Sequence, residues 1–476
     1  MPIDFFVSCL QCPQLGTWTE TSDPLEAELL IQRLGRENGL RIIEWNPADG
    51  LTPNDWQTNC RGRPEQLLEM LPSFVSQFCH TVLVLRHIHM YLDDTRIRAA
   101  LRRAVEFGAA HRLTIVVLAP DPHVPDELRH AFNLVSHDLP KRNELLGLHG
   151  SMVGSIEREM VAHGLAGLTR SEARHALALT HSMTPVERIA GIWSYKAWHV
   201  EQNSLVRFVR QTVAIESLVG MSHLKHHALI GTQPGRSPAR RGLLVLGPPG
   251  SGKRSFCQAL GNTVGRPVVR IRWDGFLGLV AQDLEHELRK TLSVVEALSP
   301  VVLACDTGDR GLTEMGFWNA PLAARLWAVF LEWLQCSKPG VYVAATAENA
   351  GHVPKEFWQR EFLDAAYFVD LPEASQREQV WQRGRMDFGL PEVLPRPTFQ
   401  EWTASEIYHC CRTASQLGLT ISESVNRITP YSELSREPLN RLRLAASGRA
   451  LKADSGELYR ACEPVIPRRW SDPSLN

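Results

Sequence analysis

The residues best suited to chemistry lie at 247–255. Gly247, Pro248, Pro249, Gly250, Ser251, Gly252, Lys253, Arg254 and Ser255 follow the apolar run Leu243–Leu246. Glycine tolerates positive φ, so Gly247, Gly250 and Gly252 let the backbone turn tightly and aim several N–H groups at one anion. Lys253 would reach the β- and γ-phosphates, and the helix predicted after it offers its positive end. Gly-x-x-x-x-Gly-Lys alone arises by chance in roughly one of ten chains of this length. The apolar strand before it, the helix after it and the Pro-Pro-Gly insert make the pattern specific. The predicted ligand is ATP or ADP.

One position departs from the pattern. The residue after the lysine should carry a hydroxyl that ligates Mg²⁺, and here it is Arg254. Ser255 sits about 100° further round the helix and does not project to the same point. Two roles for Arg254 stay open: a guanidinium lying over the phosphates in place of the metal, or a plug in the site. The bland alternative is a loop that keeps its shape and binds nothing.

Other candidate chemistry is weaker. Cys9-x-x-Cys12 has no second pair at metal-binding spacing, and ten scattered cysteines read as free thiols of a reducing cytoplasm. His87 and His89 lack a carboxylate or cysteine framework for a metal. Lys+Arg 51 against Asp+Glu 52 gives no general drive toward nucleic acid or an acidic membrane. The run RSPARR (236–241) reads as a solvated loop. Trp193, Trp198, Trp327 and Trp333 sit in helical patterns and read as packing or interface anchors. No run of about 18 apolar residues occurs, and the first residues lack a signal-peptide pattern, so neither a membrane span nor secretion is expected.

The elements that must position this loop occur twice. VLVL (82–85), a helical pattern near 95–109, TIVVLA (114–119), HVPDEL (123–128) and DLP (138–140) follow in order in the first half. VVLAC (301–305), PLAARLWAVFLEWL (321–334), VYVAA (341–345), HVPKEF (352–357) and YFVDLP (367–372) repeat it. Each half then shows Thr-x-Ser-Glu: Thr169 to Glu172 and Thr403 to Glu406. Threonine with glutamate three places on is a capping box, which opens a helix. The spacing predicts two related modules, each a parallel α/β sheet with a helical lid. A breaker-rich stretch at 200–240, with Gly220, Gly231, Pro234, Gly235 and Pro238, is the predicted junction. In the first module IDFFV (3–7) is the predicted first strand. QCPQLGTWTE (11–20), with one glycine and no lysine, then falls where a phosphate loop would be, so that module is not expected to bind nucleotide.

These residues together resemble the AAA-domain proteins of cyanobacteria and plastids known as hypothetical chloroplast reading-frame products. The resemblance runs through GLTRSEARHALAL (167–179), GMSHLK (220–225), GPPGSGK (247–253), VVEALSP (294–300), YFVDLP (367–372) and ITPYSELSREPLNRLRLAASGRA (428–450). It implies a degenerate AAA-like module without a P-loop (1–145), a helical lid and connector (146–215), a P-loop (AAA/RecA-like) α/β module (216–375), and a C-terminal lid and tail (376–476). In such proteins the third strand ends in Asp-Glu, metal holder and water-activating base. Here Asp306 is kept, as a metal-side residue only, and Thr307 replaces the base. The sensor strand's Ala-Thr-x-Asn becomes Ala345-Thr346-Ala347-Glu348, with Asn349 one place late. A carboxylate at 348 lies beside another anion. The two arginine fingers fall on Gln359 and Phe362, with Arg360 beside the first. The pore-loop position falls near Val280 rather than on Phe276, so a threading motor is not expected.

A trans arginine alone supplies ~10³–10⁵ in rate. Five departures in one direction therefore imply a pseudoenzyme, with the use of Mg²⁺ left open. The leading expectation is a nucleotide-responsive scaffold or regulator, assembling with itself or with an active AAA partner. A slow ATPase using Arg360, Asp309 or Glu348 comes second. A protein-interaction scaffold with a dead pocket comes third.

Overall fold

The computed structural model describes residues 3–53, 60–77, 80–120, 124–137, 139–148, 155–209, 213–232, 241–276, 279, 283–306, 320–336, 340–353, 355–391 and 399–461. The chain divides into two compact units, Met1–Lys196 and Ala197–Asn476.

The first unit holds β1 (Gly16–Glu20), β2 (Arg41–Asn46), β3 (Gly50–Thr52), β4 (Thr81–Arg86), β5 (Leu113–Ala119) and β6 (Phe132–Ser136). They form one sheet in the order β3-β2-β4-β5-β1-β6. All pairs are parallel except β2 with β3. Alternate residues serve two cores: Leu83, Leu85, Ile115 and Val117 on one face, Val82, Val84, Val116 and Leu118 on the other. Burial on both faces is why β4 and β5 read as unbroken apolar runs.

The first strand differs from expectation. Residues 3–7 open a helix, Ile3–Gln11, and β1 lies at Gly16–Glu20. Ile3, Phe6, Val7 and Leu10 recur at helical spacing. β1 is masked in sequence by Thr17 and Thr19, which are 0% and 2% exposed. The position equivalent to a phosphate loop is therefore Thr21–Asp23, not 11–20.

The second unit holds β7 (Val206–Val209), β8 (Gly242–Leu246), β9 (Val268–Ile271), β10 (Val301–Asp306), β11 (Val341–Ala347), β12 (Ala365–Phe368) and β13 (Leu451–Lys452). Their order is β13-β12-β8-β11-β10-β9-β7, parallel except β7 with β9. β7, in the stretch expected as connector, is thus an edge strand of the second sheet. In both units the five principal strands run second, third, fourth, first, fifth across the sheet. The repeat legible in the sequence is a repeat of topology.

Gly242 opens β8 at φ 147°, and a Cβ there would stand 1.9 Å from the Val343 carbonyl oxygen. Glycine lets β8 lie against β11 at the start of the strand that leads to the loop. The helix Lys253–Val264 buries Phe256, Cys257 and Leu260 against Leu243, Val245, Val268 and Val302. The lid helices Arg170–Leu179 and Ala404–Leu417 open on complete capping boxes, Thr169 with Glu172 and Thr403 with Glu406. Each box satisfies helix N–H groups that would otherwise lack partners. Two further boxes, Glu373 with Gln376 and Thr420 with Glu423, were not read from the sequence.

Candidate nucleotide site

β8 is buried along its whole length and delivers the chain into Gly247–Gly252. Gly250 and Gly252 take φ 78° and 90°. These left-handed turns are what a phosphate cradle requires. A Cβ on Gly250 would stand 2.8 Å from Thr403 Oγ1, and Ser405 N donates to Gly250 O at 3.1 Å. The start of the lid helix is thus seated on the loop. Gly252 is the N-cap of the helix Lys253–Val264 and contributes no side chain, so the first turn's N–H groups face the loop unshielded.

Lys253 is 4% exposed. Its Nζ donates to Gly247 O (2.9 Å) and Pro248 O (2.8 Å) and stands 3.5 Å from Glu348 Oε1. Burial lowers its pKa, and the Glu348 carboxylate pulls the other way. The ammonium is held by the loop's own carbonyls, in position to exchange them for phosphate oxygens. Glu348, expected as a like charge against the ligand, has Lys253 as counter-ion and competes with phosphate for it.

Arg254 Nε and Nη2 donate to Asp306 Oδ2 at 3.0 and 2.7 Å. These are the two positions whose side chains would together ligate Mg²⁺. The residues present do not fit the metal. One ligand is a cation, and the other is engaged by it. Among the described residues no group of His, Cys, Asp or Glu could hold a metal ion. They do fit a phosphate chain, since the turns, the unshielded helix start and the buried lysine all remain. Ser255 is half-buried on the first turn. Thr346 is 4% exposed and pairs in register with Asp306.

Comparison with known proteins agrees with this geometry. Residues 243–371 match the family of ATPases associated with various cellular activities (AAA), and residues 6–137 match the N-terminal domain of SpoVK-like AAA ATPases. The uncharacterized AAA domain-containing protein ycf46 of Guillardia theta is 26% identical over 361 residues, 72% of this chain and 71% of the relative. That of Trieres chinensis is 24% identical over 385 residues, 77% of each. That of Pyropia yezoensis is 22% identical over 438 residues, 87% of each. The chain is a divergent member of the AAA family.

Elsewhere in the AAA module the expected positions are separated. Phe362 is buried at 5% and packs inward, so it cannot reach a neighbouring molecule, whereas Gln359 and Arg360 are exposed. Phe276 is fully buried beside Trp273, a packing role. Trp327 joins the same aromatic cluster, and Trp333 Nε1 donates to Glu296. Thr307, Asp309, Val280 and most of the 236–241 run lie outside the described residues.

In the first AAA-like module the turn after β1 carries an acid of its own. Asp23, 6% exposed, caps the helix Pro24–Glu37 and accepts from Glu26 N. Its carboxylate also accepts from Ser171 N and Ser171 Oγ, both at 2.9 Å, at the start of the lid helix. Arg174 of that helix pairs with Glu26. Ser171 and Ser405 hold corresponding places in the two Thr-x-Ser-Glu motifs. Where Ser405 meets a glycine carbonyl, Ser171 meets an anion that belongs to the protein. Asp23 was missed in sequence, although aspartate followed by proline is a standard helix-start signal. A cavity of about 1170 Å³ in this unit is lined by Arg33, Arg36 and Glu37 of the same helix and by Lys141 and Glu144 from beyond β6.

Proposed function

We propose that this AAA protein is a nucleotide-responsive scaffold or regulator that holds ATP or ADP at 247–255 without Mg²⁺ and without appreciable hydrolysis. The observation carrying this reading is the Arg254–Asp306 pair. It puts a guanidinium, exposed but paired, where a divalent cation would neutralise the phosphates, and it occupies the carboxylate that would hold that cation. The backbone of 248–253 and Lys253 would bind the phosphate chain. The seat of Ser405 on Gly250 links the loop to the lid, so occupancy could be passed to a partner surface. The partner on this reading is a second copy or an active AAA protein, to which Gln359 and Phe362 contribute no finger.

The test is thermal melting with ATP or ADP, in EDTA and in Mg²⁺. A ligand at 100 times its Kd stabilises the folded state by about 2.7 kcal/mol. The expected outcome is a stabilisation equal in both buffers and absent in Lys253→Ala. A shift that requires Mg²⁺, or one that survives Lys253→Ala, would refute it.

A slow ATPase is the second reading, favoured by Glu348, a partly exposed carboxylate beside Lys253. It requires Lys253-dependent phosphate release that Glu348→Gln abolishes.

A further inference from the structure

We infer that Arg270 is a cation for the terminal phosphate of a nucleoside triphosphate, supplied by this chain itself and giving the site its preference for ATP over ADP. This rests on the nucleotide-binding reading above and names the residue that would discriminate between the two ligands.

Arg270 lies on β9, beside β10. Register pairs Val302 with Val268 and Leu303 with Val269, which brings Arg270 level with Ala304. Side chains alternate along a strand, so Arg270, Ala304 and Asp306 share one face. Val268 and Val302 of that face pack with the helix Lys253–Val264. Strand spacing places the Arg270 backbone about 8 Å from that of Asp306, within reach of a long side chain. Arg270, Arg254, Gln258, Asp306 and Thr346 together line one cavity of about 340 Å³. Arg254 and Asp306 hold the two positions whose metal, in P-loop enzymes, bridges the β- and γ-phosphates, so a third phosphate reaching past Lys253 would extend toward this cavity.

The charge balance points the same way. Arg207 stands directly opposite Arg270 across the β7–β9 pair. Like charges in that relation destabilise a sheet. Arg207 is answered by Glu201 at 2.8 Å and Arg254 by Asp306 at 2.7 Å. Among the described residues Arg270 has no hydrogen-bonding or ion-pair partner. Among the described residues, three guanidiniums thus meet two carboxylates at this edge, and Arg270 is the one left unanswered. A triphosphate supplies the missing anion, whereas a diphosphate ends before it.

The test is equilibrium titration of the full chain with ATP and with ADP in EDTA, for the wild type, Arg270→Gln, Arg270→Lys and Lys253→Ala. One charge-assisted hydrogen bond corresponds to roughly ten- to hundredfold in affinity. The wild type is expected to bind ATP at least about tenfold more tightly than ADP. Arg270→Gln should bring the two affinities together by weakening ATP alone, and Arg270→Lys should keep part of the difference. Lys253→Ala should weaken both. Arg270→Gln should melt no lower than the wild type, since it relieves the opposition to Arg207, so lost ATP affinity cannot be ascribed to misfolding. An ATP-to-ADP ratio unchanged in Arg270→Gln, with Lys253→Ala still weakening both, overturns this inference and leaves the nucleotide reading standing. Failure of the wild type to bind either nucleotide overturns both.

Discussion

Replacing Lys196 with methionine should make the first unit more stable at neutral and acidic pH, and by an amount the structure allows to be worked out. Lys196 is fully buried. Its Nζ donates to His163 O at 3.2 Å and stands 4.2 Å from the centre of the Trp193 ring, with no carboxylate partner among the described contacts. Burial pulls its pKa down from 10.5 to about 7. Between those values the unfolded chain holds a proton that the folded chain does not, so stability rises with pH across that window. The penalty is fully present below pH 7 and gone above about pH 10.5. At 1.36 kcal/mol per pH unit it amounts to about 5 kcal/mol. Methionine has similar volume and no charge. Losing the bond to His163 O and the cation over Trp193 offsets about half. The expected gain is therefore about 2–3 kcal/mol at pH 6, falling to zero or reversing near pH 10. Urea unfolding of both proteins at pH 6, 8 and 10 measures it. A methionine variant no more stable at pH 6, or a difference that does not change with pH, would show that Lys196 is not a buried charge held at a cost.

Asp23→Ala removes a helix cap and both anchors for Ser171, and should destabilise the first unit by about 2–4 kcal/mol without altering nucleotide binding; chemical denaturation and a nucleotide titration read the two effects separately. Arg254→Thr restores a metal-ligating hydroxyl and releases Asp306, so nucleotide affinity should become dependent on Mg²⁺. An Arg254→Thr protein that binds equally well in EDTA and in Mg²⁺ would remove the surrogate-cation argument.

What the sequence made legible was set by periodicity and by backbone demands. β4, β5, β10 and β11 are buried on both faces, so their apolar runs stand out and their order gives the parallel topology twice. The loop was legible because positive φ at Gly250 and Gly252 restricts the residue choice. The boxes at Thr169 and Thr403 were legible because they are local. β1 was not, because one of its buried faces carries Thr17 and Thr19, and a helix with a strong apolar stripe precedes it. Asp23 and Arg270 were not legible for a different reason. Asp23 meets Ser171, and Arg270 lines one cavity with Arg254 and Asp306, in each case across a long stretch of sequence, and no local pattern records such a meeting.

The two modules keep one mechanical contact and differ in the charge placed beside it. In both, the serine of a Thr-x-Ser-Glu motif at the head of the lid helix meets the turn that follows the first strand. The first module puts the Asp23 carboxylate there, at the positive end of the helix Pro24–Glu37, where it accepts from Glu26 N, one of the N–H groups that an anion would otherwise engage. A phosphate approaching that turn would meet a negative charge already in place. The second module has no acid in its loop. Its added charge is Arg254, which together with Asp306 forms a neutral pair and leaves Lys253 facing the cradle with Glu348 alone to balance it. On the function proposed above, the first arrangement excludes an anion, and the second admits one while giving a divalent metal no ligand set. The difference therefore lies in which ionic component each module has built into itself: the anion in one, the metal's charge in the other. On this argument an acid at the matching N-cap, Gly252→Asp, should weaken nucleotide binding more than Gly252→Asn, which puts the same shape there without the charge; equal losses in the two variants would refute it.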